Sequence, residues 1–307
     1  MKNLVLVMLV AWAISAFWAY HPDLPATEVE AAYANADSQF PMVKGVRLHV
    51  RDQGPKDKPA ILLIHGFSSS LHTWDEWANA LSQDFRVVRF DLPGHGLTGP
   101  VEDSDYSTDR IHRLIEGLRE KLGIERWSVA GNSLGGLIGW SYAVATPDKV
   151  ERLVLLDSAG FPRETWPLAI RAARSPIITT LFGKLTPRAL VVKNLSEVYH
   201  HDDRITDTLV TRYHTIMRRE GNRDATATLM QQPEEGFPNP DTIKTLPMPV
   251  LLMWGEKDPW VPLTELEKFK AALPKAQVIT YPDLGHMPME EDPGRTVIDA
   301  LNFLKSR

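Results

Sequence analysis

Short apolar runs alternate with longer helical patterns over most of this chain. The runs have the length of strands, and some are apolar at every position, as in parallel strands that helices cover on both faces. Helical patterns separate them at 74–81, 107–122 and 134–145. The alternation predicts an α/β fold with a mostly parallel sheet. The strand-like runs are AILLI (60–64), VVRFD (87–91), WSVAG (127–131), LVLLD (153–157), VLLMW (250–254) and VITY (278–281).

The alternation stops after the fourth of these runs and resumes at the fifth. The segment between them shows helical periodicity instead. In TDTLVTRYHTIMRRE (206–220), for example, the apolar positions share one face, and Gly221 follows as a helix stop. We therefore predict a helical lid at 162–240, inserted between two parts of one core at 42–161 and 241–307.

The N-terminus has a different pattern. LVLVMLVAWAISAFWAY (4–20) is 17 residues long and carries no charge. At about 1.5 Å per residue, a helix of this length spans roughly 26 Å, close to the ~30 Å hydrocarbon core of a bilayer. We predict a signal anchor at 1–20 and a polar linker at 21–41. Lys2 then stays in the cytoplasm, and the rest of the chain is extracytoplasmic or periplasmic. A cleaved signal peptide, with secretion, and a core helix remain alternatives.

Composition excludes several classes of function. The chain is 43% hydrophobic and 8% aromatic, which is ordinary for a globular protein. Its formal net charge is -5 and it has no basic tract, so we expect no nucleic-acid partner. The absence of cysteine excludes disulfides, thiol chemistry and cysteine-ligated metals. HHDD (200–203) contains metal-binding residue types, but adjacent side chains on a helix do not converge, and we expect no metal.

The sequence GNSLGG contains a G-x-S-x-G motif at 131–135. It follows a strand-like run and precedes a helical pattern, which is the setting of a nucleophile elbow. Gly131 and Gly135 leave room for the strand and the helix to approach each other. The helix N-terminus favours negative charge developing at Ser133. We predict that Ser133 is a nucleophile, with a simple helix cap as the alternative.

A serine nucleophile needs a base, and the base needs a group that orients it. Asp258, in WGEKDPWVP, and His286, in DLGHMPMEEDP, follow the last two strand-like runs. Both therefore lie at the edge of the sheet where ligands bind in α/β folds. We predict His286 as general base and Asp258 as its orienting acid. Asp157 also ends a strand-like run and is the alternative acid.

These motifs together resemble the α/β-hydrolase superfamily, in particular its lid-bearing branch of serine esterases, C–C-bond hydrolases and haloperoxidase-like enzymes. The resemblance covers about 46–304 and includes IHGF (64–67) and FDLPGHG (90–96) in the same order. It implies a mostly parallel eight-stranded sheet with helices on both faces and a helical lid. It also implies that the backbone N–H groups of Phe67 and Leu134 form the oxyanion hole.

The resemblance also implies a reaction. A serine at the elbow forms acyl-enzymes, so the expected substrate is a small, hydrophobic carboxylic ester, and no cofactor is needed. The alternative is hydrolysis of a C–C bond in a dienoate diketone, with Arg163, Arg171 or Arg174 binding the carboxylate. A non-catalytic binding protein of the same fold is the third possibility. The oligomeric state is not predicted.

Pocket residues are less well defined by the sequence. Bracing of the elbow remains an alternative role for Asn132, and packing against the following helix remains one for Trp74. Asp91 and His95, in DLPGHG, look catalytic, but we expect them to shape the loop. The candidates for the substrate pocket are Trp74, Asn132, Phe161 and Trp166.

Overall fold

An eight-stranded sheet forms the centre of the protein. The computed structural model describes residues 19–162, 175, 179, 183–231 and 237–306. The strands of these residues are β1 (Ser38–Gln39), β2 (Met42–Val43), β3 (Val46–Arg47), β4 (Val50–Gln53), β5 (Ala60–Ile64), β6 (Arg86–Phe90), β7 (Trp127–Asn132), β8 (Val150–Leu156), β9 (Val250–Gly255) and β10 (Gln277–Tyr281).

The sheet is mostly parallel, as predicted. Its order is β1-β4-β6-β5-β7-β8-β9-β10, and β2 pairs with β3 in a separate two-stranded sheet. The pairs β1/β4 and β4/β6 are antiparallel, whereas every pair from β6 to β10 is parallel. The parallel strands therefore present their carboxyl ends at one edge, where the candidate catalytic residues lie.

Helices cover both faces of the sheet. The α-helices of the described residues are α1 (Ala26–Tyr33), α2 (Asp75–Leu81), α3 (Thr108–Lys121), α4 (Leu134–Ala145), α5 (Arg188–Val198), α6 (Asp207–Met217), α7 (Asn222–Met230), α8 (Leu263–Ala272), α9 (Pro288–Glu291) and α10 (Pro293–Lys305). Short 3₁₀ helices lie at Leu71–Trp74, Pro147–Lys149, Asp202–Arg204 and Pro240–Thr245.

The apolar runs explain this layering. Strands β5, β7 and β9 are buried along their whole length. Side chains alternate between the faces of a strand. Leu62 of β5 accordingly joins a core cluster with residues of α3, α4 and α8, whereas its neighbour Leu63 joins a second cluster with residues of α2 and α10. A continuous apolar strand is thus buried on both sides.

Helix α3 illustrates how local sequence sets an element. The side chain of Ser107 accepts a hydrogen bond from the backbone N–H of Arg110 and caps the N-terminus. Gly123, at φ +65°, follows the C-terminus, where a left-handed residue is favourable. The buried positions recur at helical spacing and face the sheet: Ile111, Leu114, Ile115 and Leu118.

Three helices of the predicted lid, α5, α6 and α7, lie between β8 and β9 in the chain. The helical pattern at 206–220 corresponds to α6, whose N-terminus is capped by the side chain of Thr206. Gly221, at φ +82°, separates α6 from α7. The lid residues 163–174 fall outside the described part of the chain.

The predicted membrane anchor with an extracytoplasmic catalytic domain was wrong. In the part of the chain that the structure describes, no helix is both long and apolar enough to cross a membrane. Of the apolar run at 4–20, residues 4–18 lie outside that part. The last residue of the run, Tyr20, pairs with Leu185 of the lid in an isolated β-bridge.

The predicted linker at 21–41 packs against the protein. The backbone N–H of Leu24 donates to the carbonyl of Arg218 at 2.7 Å. Val29 of α1 is fully buried in a small apolar cluster with Leu97 of the core and Ile216 of the lid. This segment therefore joins the core to α6.

Candidate active site

Ser133 occupies a strained turn between β7 and α4. Its backbone has φ +54° and ψ -117°, a region that few residues other than glycine adopt. A Cβ atom at Gly131 would lie 2.2 Å from the carbonyl oxygen of Gly135, and one at Gly135 would lie 2.1 Å from the carbonyl oxygen of Ile64. Only glycine fits at these two positions, so the motif's spacing follows from the tight approach of strand, turn and helix.

Asp258 and His286 form a buried pair at the same edge of the sheet. Asp258 follows β9, and His286 follows β10. His286 Nδ1 lies 2.6 Å from Asp258 Oδ2, with the two side chains 8% and 0% exposed. Because a carboxylate only accepts, Nδ1 donates, which leaves Nε2 of a neutral imidazole to accept a proton. This is the geometry that a general base and its orienting acid require.

Backbone donors fix the carboxylate of Asp258. Its Oδ1 accepts hydrogen bonds from the backbone N–H groups of Trp260 at 2.6 Å and Val261 at 2.9 Å. The alternative acid, Asp157, is directed elsewhere: its Oδ1 accepts from the backbone N–H of Gly255 at 2.9 Å. The geometry thus favours Asp258 over Asp157 as the partner of His286.

The predicted oxyanion-hole donors flank Ser133. Leu134 is the first residue of α4, and Phe67 follows the end of β5. A Cβ atom at Gly66 would lie 3.3 Å from Cβ of Ser133, so the loop that contains Phe67 runs against the elbow. Within the described residues, neither N–H donates to a protein acceptor. Both remain available to a substrate oxygen.

Asn132 connects the elbow to the loop of the base. It is fully buried, and its Nδ2 donates to the carbonyl oxygens of His286 at 3.0 Å and Leu156 at 3.2 Å. These contacts favour the bracing role over a place in the substrate pocket.

The other pocket candidates differ in their surroundings. Trp74 is fully buried, and its ring lies 5.2 Å from that of Trp77, so it packs the core. Phe161 is half-buried, with its ring 5.1 Å from that of Phe269. Trp166 lies outside the described residues.

The carboxylate of Asp91 joins its own loop to the loop that follows β5. Its carboxylate accepts from the backbone N–H groups of Leu71 and Leu97, each at 2.7 Å, and contacts Nδ1 of His49 at 2.7 Å. Burial alone would raise the pKa of Asp91, but the interactions with His49 outweigh it, and the pKa is lowered. His95 is buried, and its Nδ1–H donates to the carbonyl oxygen of Pro93, 3.1 Å away.

Potential metal ligands converge only at the candidate catalytic residues, as far as the described residues go. One ligand atom each of Asp157, Asp258 and His286 lies within 4.8 Å of the others. In this group Nδ1 of His286 is already hydrogen-bonded to Asp258, so the arrangement fits proton transfer. The run at 200–203 does not form a converging group.

Two acidic residues that sequence reasoning missed attach the lid to the His286 loop. Buried Glu291 accepts from the backbone N–H groups of Gly285 and His200, each at 2.8 Å. Glu290 accepts from the hydroxyls of Tyr199 at 2.7 Å and Tyr213 at 2.8 Å. The signal in the sequence was the run of acids at 290–292, at the end of GHMPMEEDP.

The chain is similar to known proteins over most of its length. A family model described as the alpha/beta hydrolase fold matches residues 59–293. The chain is 26% identical to the uncharacterised hydrolase YugF of Bacillus subtilis, covering 86% of this chain and 96% of that protein. It is 29% identical to the 2-hydroxy-6-oxo-6-(2'-aminophenyl)hexa-2,4-dienoic acid hydrolase of Metapseudomonas resinovorans, covering 91% and 93%.

A solved structure is similar over the same region. It is that of a serine hydrolase involved in carbazole degradation, the CarC enzyme, with a TM-score of 0.74 and 26% identity. The similarity covers 88% of this chain and 99% of that one.

Proposed function

The chain belongs to the alpha/beta hydrolase family, and from that premise we propose that it is a serine hydrolase that cleaves carboxylic esters through an acyl-enzyme on Ser133. One observation is the main support: a strained serine lies at the sheet edge where Asp258 and His286 form a buried hydrogen-bonded pair. No cofactor is required for this reaction.

The proposed reaction has two halves. His286 Nε2 removes the proton of Ser133 while Oγ attacks the carbonyl carbon of the ester. The N–H groups of Phe67 and Leu134 stabilise the oxyanion that forms. The protonated His286, held by Asp258, then gives its proton to the leaving alcohol. In the second half, His286 removes a proton from water, which attacks the carbonyl carbon of the acyl-enzyme. The proton passes to Oγ of Ser133 as the acid is released.

The acyl group is proposed to be hydrophobic. The part of the lid at 163–182 reads RETWPLAIRAARSPIITTLF, which is rich in apolar residues. An apolar lid favours substrates that bury hydrocarbon, because each buried CH₂ stabilises binding by about 0.8 kcal/mol. Graded acyl length therefore tests this part of the proposal.

Hydrolysis of a C–C bond is the second candidate. It is supported by the name of the relative from Metapseudomonas resinovorans, which is a dienoic acid hydrolase. Such a substrate has a carboxylate, which a lid arginine would bind. The three arginines expected for this role, Arg163, Arg171 and Arg174, lie outside the described residues. Three lid arginines of the described part already pair with acids: Arg212 with Glu290, Arg219 with Glu30 and Arg223 with Asp23.

A substrate comparison separates the candidates. We would assay the full chain on p-nitrophenyl esters of graded acyl length and on a 2-hydroxy-6-oxo-dienoate, with Ser133→Ala as control. Ester turnover that disappears in Ser133→Ala supports the first candidate. Turnover of the dienoate alone would replace it with the second. No turnover of either substrate and no reaction with a fluorophosphonate would indicate a binding protein.

A further inference from the structure

A second carboxyl group lies behind the candidate catalytic pair. Asp157 directly follows β8, the neighbour of β9 in the sheet, and Asp258 follows β9. One oxygen of each carboxyl group and a ring nitrogen of His286 lie within 4.8 Å of one another. The side chains of Asp157 and Asp258 are both fully buried. Two acids thus share a buried site.

The two oxygens of Asp157 have different surroundings. Oδ1 accepts a hydrogen bond from the backbone N–H of Gly255 at 2.9 Å. Oδ2 is buried and has no hydrogen-bond partner in the described part of the chain. A buried carboxylate oxygen without a donor is unfavourable. If Oδ2 is protonated, it becomes a donor and can form a hydrogen bond to the adjacent carboxylate of Asp258.

The charges around Asp157 favour the protonated form. The negative charges of Asp258 and buried Glu291 both act on Asp157, and His286 faces the same site. The charge of Asp157 acts in turn on Tyr281. Burial, and then the negative charge of Asp258, raise the pKa of Asp157 well above its ordinary value, and the hydrogen bond from Gly255 only partly offsets them. Two carboxyl groups this close to each other cannot both ionise readily.

We propose that Asp157 is a positioning residue that stays protonated and donates a hydrogen bond to the carboxylate of Asp258. This role of Asp157 belongs to the proposed serine-hydrolase function, and its kinetic test rests on that function. The donor fixes the rotamer of Asp258 beside His286. It also withdraws charge from the carboxylate, so that Asp258 stabilises the protonated imidazole less strongly than an unassisted carboxylate would.

The kinetic test compares the pH profile of kcat/KM on an ester for two variants. Asp157→Asn keeps an oxygen for Gly255 and offers an N–H to Asp258, so the acid limb stays at its wild-type position. Asp157→Ala removes the donor. Its kcat falls about tenfold and its acid limb moves about one pH unit higher, the effect of one lost hydrogen bond to a charged acceptor.

A control and two contrary outcomes make the test specific. Ser141 lies in α4, about two helical turns beyond Ser133, and its hydroxyl is buried. We expect Ser141→Ala to keep the wild-type acid limb. An acid limb that moves to lower pH in Asp157→Asn would mean that Asp157 is ionised in the wild type. An acid limb that does not move in folded Asp157→Ala would mean that Asp157 does not act through Asp258.

Infrared spectroscopy tests the proton without turnover. The wild-type minus Asp157→Asn difference spectrum at neutral pH contains the C=O stretch of a protonated carboxyl group. A carboxylate band in its place would overturn the proposal. If the wild type hydrolyses no substrate, the proposed function fails, whereas this spectrum still decides whether Asp157 holds the proton.

Discussion

The side-chain amide of Asn132 donates a hydrogen bond to the carbonyl oxygen of His286, 3.0 Å away and 154 positions later in the chain. The residue next to the candidate nucleophile thereby holds the backbone of the candidate base. The backbone N–H of His286 is held from the other side by the carbonyl of Val198, at 2.7 Å. The relative position of Ser133 and His286 thus depends on a buried amide and on the lid.

Replacing Asn132 is expected to lower kcat more than it changes KM. Asn132→Ala removes both hydrogen bonds of Nδ2, at a cost of about 1–3 kcal/mol in the free energy of unfolding. Asn132→Asp is worse at neutral pH, because it directs a carboxylate at the carbonyl oxygens of Leu156 and His286. Steady-state kinetics and urea denaturation measure the two effects. A destabilised Asn132→Ala with unaltered kcat would show that the amide does not position the base.

Asp258→Asn is expected to reduce kcat by about 10³-fold or more while KM changes little. The amide cannot hold His286 in the tautomer that leaves Nε2 free, and in a related triad the same change is worth about 10⁴-fold. Asp157→Asn is the matched variant and retains most of the activity. The reverse ranking of the two variants would make Asp157 the orienting acid.

Gly135→Ala is expected to destabilise the fold by roughly 1–3 kcal/mol, because its Cβ would lie 2.1 Å from the carbonyl oxygen of Ile64. Gly294→Ala is the control. Gly294 lies in α10 and a Cβ there meets nothing within 4 Å, so alanine stabilises by about 0.5–1 kcal/mol. Thermal unfolding midpoints measure both changes. Equal midpoints for the two variants would contradict the tight packing of the elbow.

The burial of His95 is expected to destabilise the folded protein at acidic pH. Burial, and then the neighbouring His65, lower the pKa of His95 from 6.5 to about 3. Between these two pH values, His95 is protonated in the unfolded chain but not in the folded one. The contribution of neutral His95 to the free energy of unfolding is therefore complete above pH 6.5. It is lost as the pH falls toward 3, at about 1.4 kcal/mol per pH unit. In His95→Gln the loss of stability over this range becomes smaller. An unaltered pH dependence would show that His95 takes up its proton equally well in the folded state.

The sequence predicts the sheet well because buried parallel strands are continuous apolar runs. AILLI coincides with β5, and the other runs agree with their strands to within a few residues. The proximity of Asp258 and His286 was also predictable, since both follow parallel strands that end at one edge. Local pattern and chain order determine these features.

Features that depend on distant contacts were not predictable. The roles of Glu290 and Glu291 depend on lid groups such as Tyr199 and His200, which lie about 90 positions away. The burial of Trp74 follows from packing between elements that the local pattern does not describe. Hydrophobicity alone also misled at 4–20, because an apolar run does not specify what surrounds it.

Reaction of the full chain with a fluorophosphonate, followed by mass spectrometry of its peptides, tests the central claim most directly. We predict one covalent adduct, on the peptide that contains Ser133, and none in Ser133→Ala, which also loses turnover. An adduct on another residue, or ester hydrolysis that survives in Ser133→Ala, would contradict it.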